Sequence, residues 1–476
     1  MTSSPFPEIE LQIERLSRKG RGVGIYRKAP PSSDTQVDVV GGIPGDTLRV
    51  QIGPKRKGKA QGTIREVIAP SALRVDPRCV HVPECGGCAF QAMDYAAQLR
   101  EKQSFVEKLF TPLITDQTQT RPIIPCESPW RYRNKMEFSF SQNRAGEKFF
   151  GLMIAGSKGK VLNLSECHLV NPWFIDVLSH VRAWWVKSGL DAYRMNDTGS
   201  LRTLIVREGI RTGDKMAMLT VSGNPDFALK QPQLQGFIEA VKQAVPQEQH
   251  ERLSIFLRIQ QLKKGAPTQF FEMHLHGPDH IAEKLNIDTG SRHAELQFKI
   301  SPTSFFQPNT LQAEKLYSAA LKLVSTKRRH VLDLYAGTAT LGLAMALQSD
   351  LVTSIELNPH ALFDAQSNQE VNGISNLRLI CGDVGKVLAE LMGSPDFIPP
   401  DLVIVDPPRP GLDPAAISHI LSLKPQQVLY ISCNPLTQVA NVQEIVNAGY
   451  TLEVIQPVDQ FPHTVHIENI VLLNQR

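Results

Sequence analysis

The amino-acid sequence predicts an α/β protein built from a doubly wound parallel sheet, a small N-terminal β-barrel and a middle α+β region. Short apolar strands alternate with helical stretches in the C-terminal third, which is the βαβ pattern of such a sheet. Short β-rich runs separated by Gly, Pro and Asp fill the first 70 residues and indicate the barrel. With 476 residues, 42% of them hydrophobic, the chain can bury several cores. We place the domains at residues 1–72, 73–300 and 301–476.

The predicted barrel carries the positive charge of the chain. Its strands are expected at residues 9–16, 24–27, 37–40, 48–52 and 63–68. Residues 1–70 contain twelve Lys and Arg against seven acidic residues, a net charge of +5, whereas the whole chain carries +4. The hairpin tip Lys55-Arg-Lys-Gly-Lys59 can neutralise phosphates without reading bases. A solvated charged loop is the alternative, but the confinement of the charge to one small domain favours nucleic acid.

Three of the seven cysteines lie within ten residues, in Cys79-Val-His-Val-Pro-Glu-Cys85-Gly-Gly-Cys88. The odd number of cysteines and the lack of a signal-peptide pattern favour metal binding or catalysis over disulfides. Zinc sites of four cysteines usually show two Cys-x₂-Cys pairs, so a fourth ligand must come from elsewhere in the chain. Cys381 lies in the predicted C-terminal sheet and is assigned a structural role. The spacing does not choose between Cys126 and Cys167.

The C-terminal sheet positions its candidate residues at one edge. Strands are expected at residues 331–335, 351–356, 377–381, 402–405 and 428–432, with helical stretches at 359–372 and 435–448. Ligands of such sheets bind at the carboxyl ends of the strands. The residues that follow these strands are therefore the candidates for a functional site.

The first of these strands ends in a glycine turn, Asp333-Leu-Tyr335-Ala-Gly337-Thr-Ala-Thr340-Leu-Gly342. The dinucleotide fingerprint G-x-G-x-x-G is absent, so a pyrophosphate site is not indicated. Glu356 ends the next strand, nineteen residues after Gly337, where a carboxylate can accept hydrogen bonds from ribose hydroxyls. A glycine turn and an acid without a diphosphate loop favour an adenosine without phosphates, such as S-adenosylmethionine. A turn that only packs a helix is the alternative.

The fourth strand ends in Asp406-Pro-Pro-Arg409-Pro-Gly411. The paired prolines make a rigid turn, which holds Asp406 at the sheet edge over the cofactor site. Enzymes that methylate the amino groups of bases carry an aromatic residue after the two prolines. Arg409 occupies that position and disfavours such a reaction.

Two further segments offer a nucleophile and a base. Cys433 lies between a strand and a helix N-terminus, where a thiolate is favoured, so it is a candidate nucleophile. An inert core cysteine is the alternative. His463, His466 and Glu468 precede the last apolar strand and can include a general base, although such residues more often lie on the surface.

These segments, taken in order, resemble those of the RNA uracil-5-methyltransferases, which make 5-methyluridine in ribosomal or transfer RNA. The matching segments are Ser304-Phe-Phe-Gln-Pro-Asn309, the Asp333 turn, Glu356, Asp406-Pro-Pro-Arg-Pro-Gly411, Ser432-Cys-Asn-Pro435 and Phe461-Pro-His-Thr-Val-His-Ile-Glu468. Residues 1–70 are similar to TRAM, the small OB-like RNA-binding barrel of many members. The resemblance implies a Rossmann-like class I methyltransferase sheet in the C-terminal domain.

The resemblance also implies a role for each site residue. The Cys433 thiolate adds to C6 of the uracil, C5 takes the methyl group of S-adenosylmethionine, and Glu468 accepts the C5 proton. The residues implied to line the cofactor and uracil site are Gln307, Tyr335, Glu356 and Asp406. Because the reacting atoms belong to a base, the target uridine must be exposed in a loop or flipped out of its helix.

A subset of the family binds a [4Fe–4S] cluster through Cys-x₅-Cys-Gly-Gly-Cys and a fourth cysteine in the middle domain. The segment 165–169 matches the fourth position, so the implied ligands are Cys79, Cys85, Cys88 and Cys167. We expect the cluster to hold the loop of residues 79–88 against the middle domain and to shape an RNA-binding surface. We expect no redox catalysis from it. A zinc site and unpaired structural cysteines are the alternatives.

One loop departs from the family. Members commonly have Cys-Gly-x-Gly after the aromatic residue of strand one, whereas this chain has Ala336-Gly-Thr-Ala339. The extra methyl group of Ala339 is expected to tighten the loop around the sugar of the cofactor. Cofactor affinity is the property that this departure affects.

The middle region contains two more features. Trp130-Arg-Tyr-Arg133-Asn-Lys135 is a basic and aromatic cluster suited to RNA, or the start of a strand with Trp130 in the core. By resemblance, residues 94–125 are expected to pack on the catalytic domain.

The predicted function is methylation of C5 of a uridine in 23S ribosomal RNA, where the cluster cysteines and the N-terminal barrel occur together. Transfer RNA is the alternative substrate. A non-catalytic RNA-binding or ribosome-assembly factor is the second class of function, and intact Cys433, Glu468 and Asp406 disfavour it. We expect S-adenosylmethionine and the [4Fe–4S] cluster as cofactors, RNA as partner, no membrane association, a monomer and a cytoplasmic location.

Overall fold

The fold is described by a computed structural model over residues 6–27, 34–157, 159–262, 265–324 and 326–476. Residues 1–5 and 28–33 of the predicted N-terminal domain lie outside the described residues. They include Lys28, one of the twelve basic residues counted in that domain. Over the ranges given, the chain forms sheets of six, six, two and eight strands, and no helix there is long and apolar enough to cross a membrane. The predicted α/β fold class is confirmed.

The N-terminal region forms a six-stranded sheet. Its strands are β1 Glu8–Gln12, β2 Arg15–Leu16, β3 Gly22–Tyr26, β4 Thr35–Val39, β5 Thr47–Ile52 and β6 Lys59–Ala69, in the order β1-β5-β6-β4-β3-β2. On β5, Leu48, Val50 and Ile52 are buried, whereas Arg49 is exposed. This alternation gives the sheet a small apolar core of its own. The basic tip predicted at residues 55–59 lies between β5 and β6.

The middle region contributes a second six-stranded sheet and a hairpin. Its elements are α1 Tyr95–Phe110, β7 Gln119–Thr120, β8 Lys135–Gln142, β9 Lys148–Gly151, α2 Trp173–Lys187, β10 Leu201–Glu208, β11 Lys215–Ser222, α3 Gln231–Gln243, β12 Leu253–Gln261, β13 Gln269–His276, β14 Ile281–Asp288 and β15 His293–Ile300. The sheet has the order β13-β12-β11-β10-β8-β9. Helices α2 and α3 cover one face of it, because their apolar side chains share a core with those of the strands.

The C-terminal region is a doubly wound sheet. Its elements are α4 Thr310–Lys322, β16 Arg328–Leu334, α5 Thr340–Ala346, β17 Ser349–Glu356, α6 Pro359–Val371, β18 Leu377–Cys381, α7 Val384–Met392, β19 Leu402–Val405, α8 Pro414–Leu423, β20 Gln427–Ser432, α9 Pro435–Asn447, β21 Tyr450–Val458 and β22 Glu468–Gln475. The order is β18-β17-β16-β19-β20-β22-β21-β7, with β18 to β20 parallel. The chain leaves β16 for β17 on one side and returns to β19 on the other, so the topological switch point lies between β16 and β19.

Two parts of the middle region pack on the C-terminal sheet. Val106 and Phe110 of α1 belong to the core on one face of that sheet, and β7 pairs with β21 at its edge. The β14–β15 hairpin places Leu285 and Phe298 in the core on the other face. The chain between residues 73 and 300 therefore contributes to two cores rather than to one.

The segment 459–468 connects β21 to β22 and is contacted from every region. Lys102 Nζ of α1 donates to Asp459 Oδ1 at 2.6 Å, and both side chains are buried. The hydroxyl of Tyr95 donates to the other Asp459 oxygen at 2.8 Å. In the N-terminal region, a Cβ added to Gly20 would lie 2.6 Å from Val465, so the loop between β2 and β3 packs directly on the segment.

Candidate active site

One cavity of about 620 Å³ opens at the carboxyl ends of β16, β17, β19 and β20. All six residues predicted for the catalytic and cofactor site line it: Gln307, Tyr335, Glu356, Asp406, Cys433 and Glu468. They come from separate strands and loops, and the cavity lies at the switch point where such sheets bind ligands. The structure brings the whole predicted set together.

The Glu356 carboxylate lies beside the glycine turn. Its Oε2 accepts a hydrogen bond from the Gly337 N–H at 2.8 Å, and its Oε1 accepts one from the Asn358 N–H at 2.7 Å. Gly337 has φ +56°, and an added Cβ would meet no atom within 4 Å. The turn thus leaves open space next to a carboxylate whose orientation is fixed.

Ala339 has a different role from the one that the sequence suggests. Its backbone is left-handed, with φ 56°, and its methyl group is fully buried in the core. The sequence led us to expect that this methyl group tightens the loop around the cofactor. The methyl group instead lies in the core, and Ala339 is not among the described residues that line the cavity. The cost of alanine in place of glycine is backbone strain of about 1–3 kcal/mol, which the surrounding packing must offset.

The reactive side chains lie on neighbouring strands. Asp406 follows β19, Cys433 follows β20, and Glu468 begins β22, which is antiparallel to β20. The pairing of Ser432 with Asn469 places Cys433 and Glu468 at the same end of two adjacent strands. Glu468 is 3% exposed, so the base candidate lies at the closed end of the cavity.

Burial favours the protonated forms of the reactive groups. It raises the pKa of Cys433 to about 11, with smaller increases from Glu468 and Asp406, while Arg409 acts in the opposite direction. Burial, then repulsion from Asp333, raises the pKa of Asp406 to about 7. Burial, then Asp406, raises the pKa of Glu468 well above its usual range. Desolvation thus opposes the helix N-terminus, which favours the Cys433 thiolate, and it favours the thiol in the free protein.

Arg409 is a site residue that the sequence did not predict. It lines the cavity, and its guanidinium acts to lower the pKa of Cys433. Its carbonyl oxygen accepts hydrogen bonds from Asn434 Nδ2 at 2.9 Å and Thr437 Oγ1 at 3.2 Å. A cation directly after two prolines at the end of a central strand is the sequence signal for this role.

Gln307 is held between three regions of the chain. Its carbonyl oxygen accepts a hydrogen bond from Asn134 Nδ2 at 2.8 Å, and its side-chain oxygen accepts a weak one from Gln460 at 3.4 Å. The buried hydroxyl of Tyr317, which also lines the cavity, interacts with the Gln307 side chain. The position of Gln307 is thus tied to the segment 459–468.

The two histidines near Glu468 are not positioned as bases. Burial lowers the pKa of His463 and of His466 to about 4 in each case. Among the described residues that line the cavity, Glu468 is present and neither histidine is. His463 instead stacks on Trp130. Trp130 is half-buried and precedes β8, which begins at Lys135, so it is not a strand residue; the RNA role of residues 130–135 stays a prediction.

Four cysteines line a second cavity, of about 280 Å³, in the middle region. They are Cys79, Cys85, Cys88 and Cys167. Cys126 lies elsewhere, with its Sγ accepting a hydrogen bond from Asn309 Nδ2 at 3.6 Å. Of the two cysteines that spacing left open, Cys167 lies with the three clustered thiols and Cys126 does not.

Two observations qualify the cysteine predictions. Cys381, assigned a structural role in the sheet, is exposed, because β18 is the edge strand and Cys381 is its last residue. In the part of the chain that the structure describes, no group of three His, Cys, Asp or Glu side chains is arranged to hold a single metal ion.

Comparison with known proteins decides the family. Residues 272–476 match the model of the tRNA (uracil-5-)-methyltransferase family. An uncharacterised RNA methyltransferase of Protochlamydia amoebophila is 48% identical over 435 residues, which cover 90% of this chain and 98% of that protein. One from Clostridium tetani is 31% identical, with 98% of both chains covered.

The chain belongs to the RNA uracil-5-methyltransferase family. It is an RNA methyltransferase, and its family uses S-adenosylmethionine as the methyl donor. The fold agrees: the crystal structure of Pyrococcus abyssi tRNA (uracil-54, C5)-methyltransferase with S-adenosyl-L-homocysteine matches it with a TM-score of 0.70 and 21% identity, over 98% of this chain and 100% of that one. The predicted family is confirmed, whereas the TRAM and [4Fe–4S] assignments stay predictions.

The raised pKa of Cys433 predicts that the thiol of this residue is alkylated slowly at neutral pH. Reaction of Cys433 with iodoacetamide should be slow at pH 7 and accelerate about tenfold per pH unit to pH 9.5, because the thiolate fraction rises in this way below a pKa of about 11. Arg409→Gln should slow the reaction further at every pH, because it removes the cation that favours the thiolate. Mass spectrometry of the peptide that contains Cys433 measures the rate. A rate that levels off below pH 9 would contradict the prediction.

Proposed function

We propose that the protein transfers the methyl group of S-adenosylmethionine to C5 of a uridine in 23S ribosomal RNA, through a covalent bond between Cys433 and C6. The observation that supports this most is one cavity that holds Cys433, Glu468 and Glu356 beside the glycine turn. A nucleophile, a base and a ribose-binding acid are the three groups that this reaction requires.

Cys433 overcomes the weak nucleophilicity of C5. The vinylic C5 proton of uracil is too weakly acidic for a side chain to remove directly. Addition of Cys433 Sγ to C6 makes an enolate, and its C5 forms a bond to the methyl carbon as the sulfonium C–S bond breaks. C5 is then sp³ and its proton is acidic. Glu468 accepts that proton, the C6–S bond breaks, and 5-methyluridine and the Cys433 thiolate are released.

Protons must leave the free site before the reaction starts. Cys433 is a thiol near neutral pH, and burial favours the protonated form of Glu468. Asp406, with a pKa of about 7, is partly ionised there and can accept the thiol proton. Arg409 favours the anionic forms of both Cys433 and Glu468. Once ionised, Glu468 is a stronger base than an ordinary carboxylate, since its pKa is raised.

The cofactor end of the cavity fits an adenosine. The open space at Gly337 would be filled by a Cβ, and the Glu356 carboxylate beside it faces the same cavity. Glu356 would therefore accept hydrogen bonds from the ribose hydroxyls. The rest of the cofactor would contact Tyr335, Gln307 and Asp406, which line the same cavity. When bound there, S-adenosylmethionine supplies an electrophilic methyl group on a positive sulfur.

The second cavity fits a [4Fe–4S] cluster. Four thiols are the donor set that such a cluster takes, and Cys79, Cys85, Cys88 and Cys167 all line that cavity. Burial raises the pKa of Cys79 to about 11 and that of Cys88 to about 12, so cluster binding must release protons.

Transfer RNA is the second candidate substrate. The matched family model and the Pyrococcus structure both refer to tRNA. The cysteine pattern and the basic N-terminal sheet support ribosomal RNA instead, through the resemblance stated above. In either RNA, the depth of Glu468 in the cavity requires a flipped uridine.

RNA containing 5-fluorouridine should form a stable covalent complex with the protein and S-adenosylmethionine, because fluorine at C5 cannot leave as a proton. Cys433→Ala should abolish the complex. Glu468→Gln should accumulate a methylated complex with ordinary uridine RNA, since only the proton loss is blocked. Denaturing gels with 23S ribosomal RNA transcripts and with transfer RNA, side by side, measure both the adduct and the substrate class.

Cys381→Ser is the matched control, because it removes an exposed thiol outside the cavity and should leave the adduct unchanged. Methyl transfer by the wild-type protein without any fluorouridine adduct would contradict covalent catalysis. An adduct with transfer RNA alone would make tRNA the substrate.

The cysteine assignment predicts different iron contents for two variants. The wild-type protein, isolated without oxygen, should hold about four iron atoms per chain, as a [4Fe–4S] cluster requires. Cys167→Ser should lose most of this iron, because it removes a ligand from the cavity. Cys126→Ser should retain it, since Cys126 lies outside the cavity. Iron and acid-labile sulfide assays measure the content, and equal loss from both variants would contradict the assignment.

A further inference from the structure

Trp130 stacks on the segment that carries the catalytic base. Its ring lies against His463 with centroids 3.9 Å apart and an interplanar angle of 28°. The Arg78 guanidinium carbon lies 4.7 Å from the Trp130 ring centroid, and His168 meets the ring edge-on at 6.2 Å. Trp130 is therefore held between His463 and two residues from other parts of the chain.

Each cysteine segment contributes a neighbour to this stack. Arg78 directly precedes Cys79, and His168 directly follows Cys167. Phe90, two residues after Cys88, donates its N–H to the His463 carbonyl oxygen at 3.0 Å. The walls of the cysteine cavity and the base-bearing segment thus meet at the Trp130–His463 pair.

The backbone of His463 is strained and tightly restrained. It has φ 64°, a left-handed conformation that costs about 1–3 kcal/mol for a residue other than glycine. His463 is 3% exposed, and its backbone N–H donates to Gln98 Oε1 at 3.0 Å. Such a conformation persists only where its surroundings hold it, and the Trp130 ring is the largest group that covers it.

The Glu468 carboxyl depends on this restraint. This carboxyl is buried and lies in the field of Asp406, which favours the protonated form, and of Arg409, which favours the ionised form. The backbone of Glu468 pairs with Val458 across the turn made by the segment, and the next residue, Asn469, pairs with Ser432 of β20. The segment enters β22 at Glu468, five residues after His463, so its path contributes to the position of the carboxyl together with the pairing of β22.

A second contact supports the same link. Arg133 lines the cysteine cavity, and its guanidinium lies 5.8 Å from the ring centroid of Phe461 in the segment. The hydroxyl of the adjacent Tyr132 donates to the carbonyl oxygen of Pro462 at 3.0 Å. Residues 130–133 thus contact three consecutive residues of the segment.

We propose that Trp130 is a positioning residue for proton removal from C5, because its stack on His463 holds the segment in the path that brings Glu468 to the substrate. The inference rests on the proposed function. It assigns to Trp130 an effect on the step that follows methyl transfer, not on RNA binding or on attack by Cys433.

The test measures how methylated uridine partitions between the covalent complex and released product. Trp130→Ala is followed in a single turnover with ordinary uridine RNA and S-adenosylmethionine labelled in the methyl group. Methyl transfer should change little, whereas release should slow about ten- to a hundredfold, as expected for a base displaced by about 1 Å. Label should therefore accumulate in a protein–RNA complex that is stable to denaturation. Trp130→Phe, which keeps a ring, should restore most of the release.

Two controls separate this effect from a general loss of stability. Trp184→Ala removes a tryptophan that packs between α2 and α3, away from the segment, and should give no accumulated complex. If Trp130→Ala does not fold, His463→Gly removes the stacked ring while glycine tolerates the backbone conformation, and it should accumulate the same complex.

The outcomes that overturn the proposal are distinct from failure of the proposed function. Release of product by Trp130→Ala at the wild-type ratio, or equal slowing of transfer and release, would show that Trp130 has no positioning role. A wild-type protein that forms no fluorouridine adduct would instead overturn the covalent reaction itself.

Discussion

The buried ion pair between Lys102 and Asp459 is the interaction on which the catalytic arrangement depends. Its atoms are 2.6 Å apart and both side chains are out of water, a situation that is stable only when further hydrogen bonds satisfy the charges. Tyr95 donates to the second carboxylate oxygen, and Lys102 also donates to the carbonyl oxygen of Phe461. The pair therefore fixes the start of the segment that ends at Glu468. It does so from α1, which precedes β16, the first of the parallel strands, by more than 200 residues in the chain. The N-terminal region and the cysteine region then contact the middle of the same segment. Together with α1, they contribute to the position of the Glu468 carboxylate.

The chemistry of the cavity follows from its burial. Water exclusion favours neutral Cys433 and neutral Glu468 in the free protein, so neither group is reactive until protons have left. This arrangement protects the thiol and makes the ionised carboxylate an unusually strong base. Arg409 opposes both shifts, because its positive charge favours the ionised forms. The same cavity thus holds the acid–base groups in the state that precedes the reaction, and substrate binding must convert them to the reactive state.

The sequence predicted the elements and the site better than it predicted how the regions meet. Apolar runs marked the parallel strands to within a few residues, because strands buried on both faces must be apolar. The glycine turn and the residues after the strands gathered in one cavity, as topology requires.

Spacing could not choose Cys167 over Cys126, because a ligand is selected by its distance in space. Local sequence also carries no information on desolvation, which favours the thiol of Cys433 and opposes the effect of the helix N-terminus. Trp130 was open to two interpretations for the same reason, since its partner His463 lies more than 300 residues away in the chain.

Release of tritium from RNA labelled at C5 of uridine tests most directly whether Cys433 and Glu468 act in succession at one base. Wild-type protein should release one tritium for each methyl group that it transfers, and Cys433→Ser should do neither. In a single turnover with Glu468→Gln, covalent catalysis predicts that methyl groups enter the RNA while tritium stays on C5. Tritium release at the wild-type rate by Glu468→Gln would contradict the assignment of Glu468 as the base that ends the reaction.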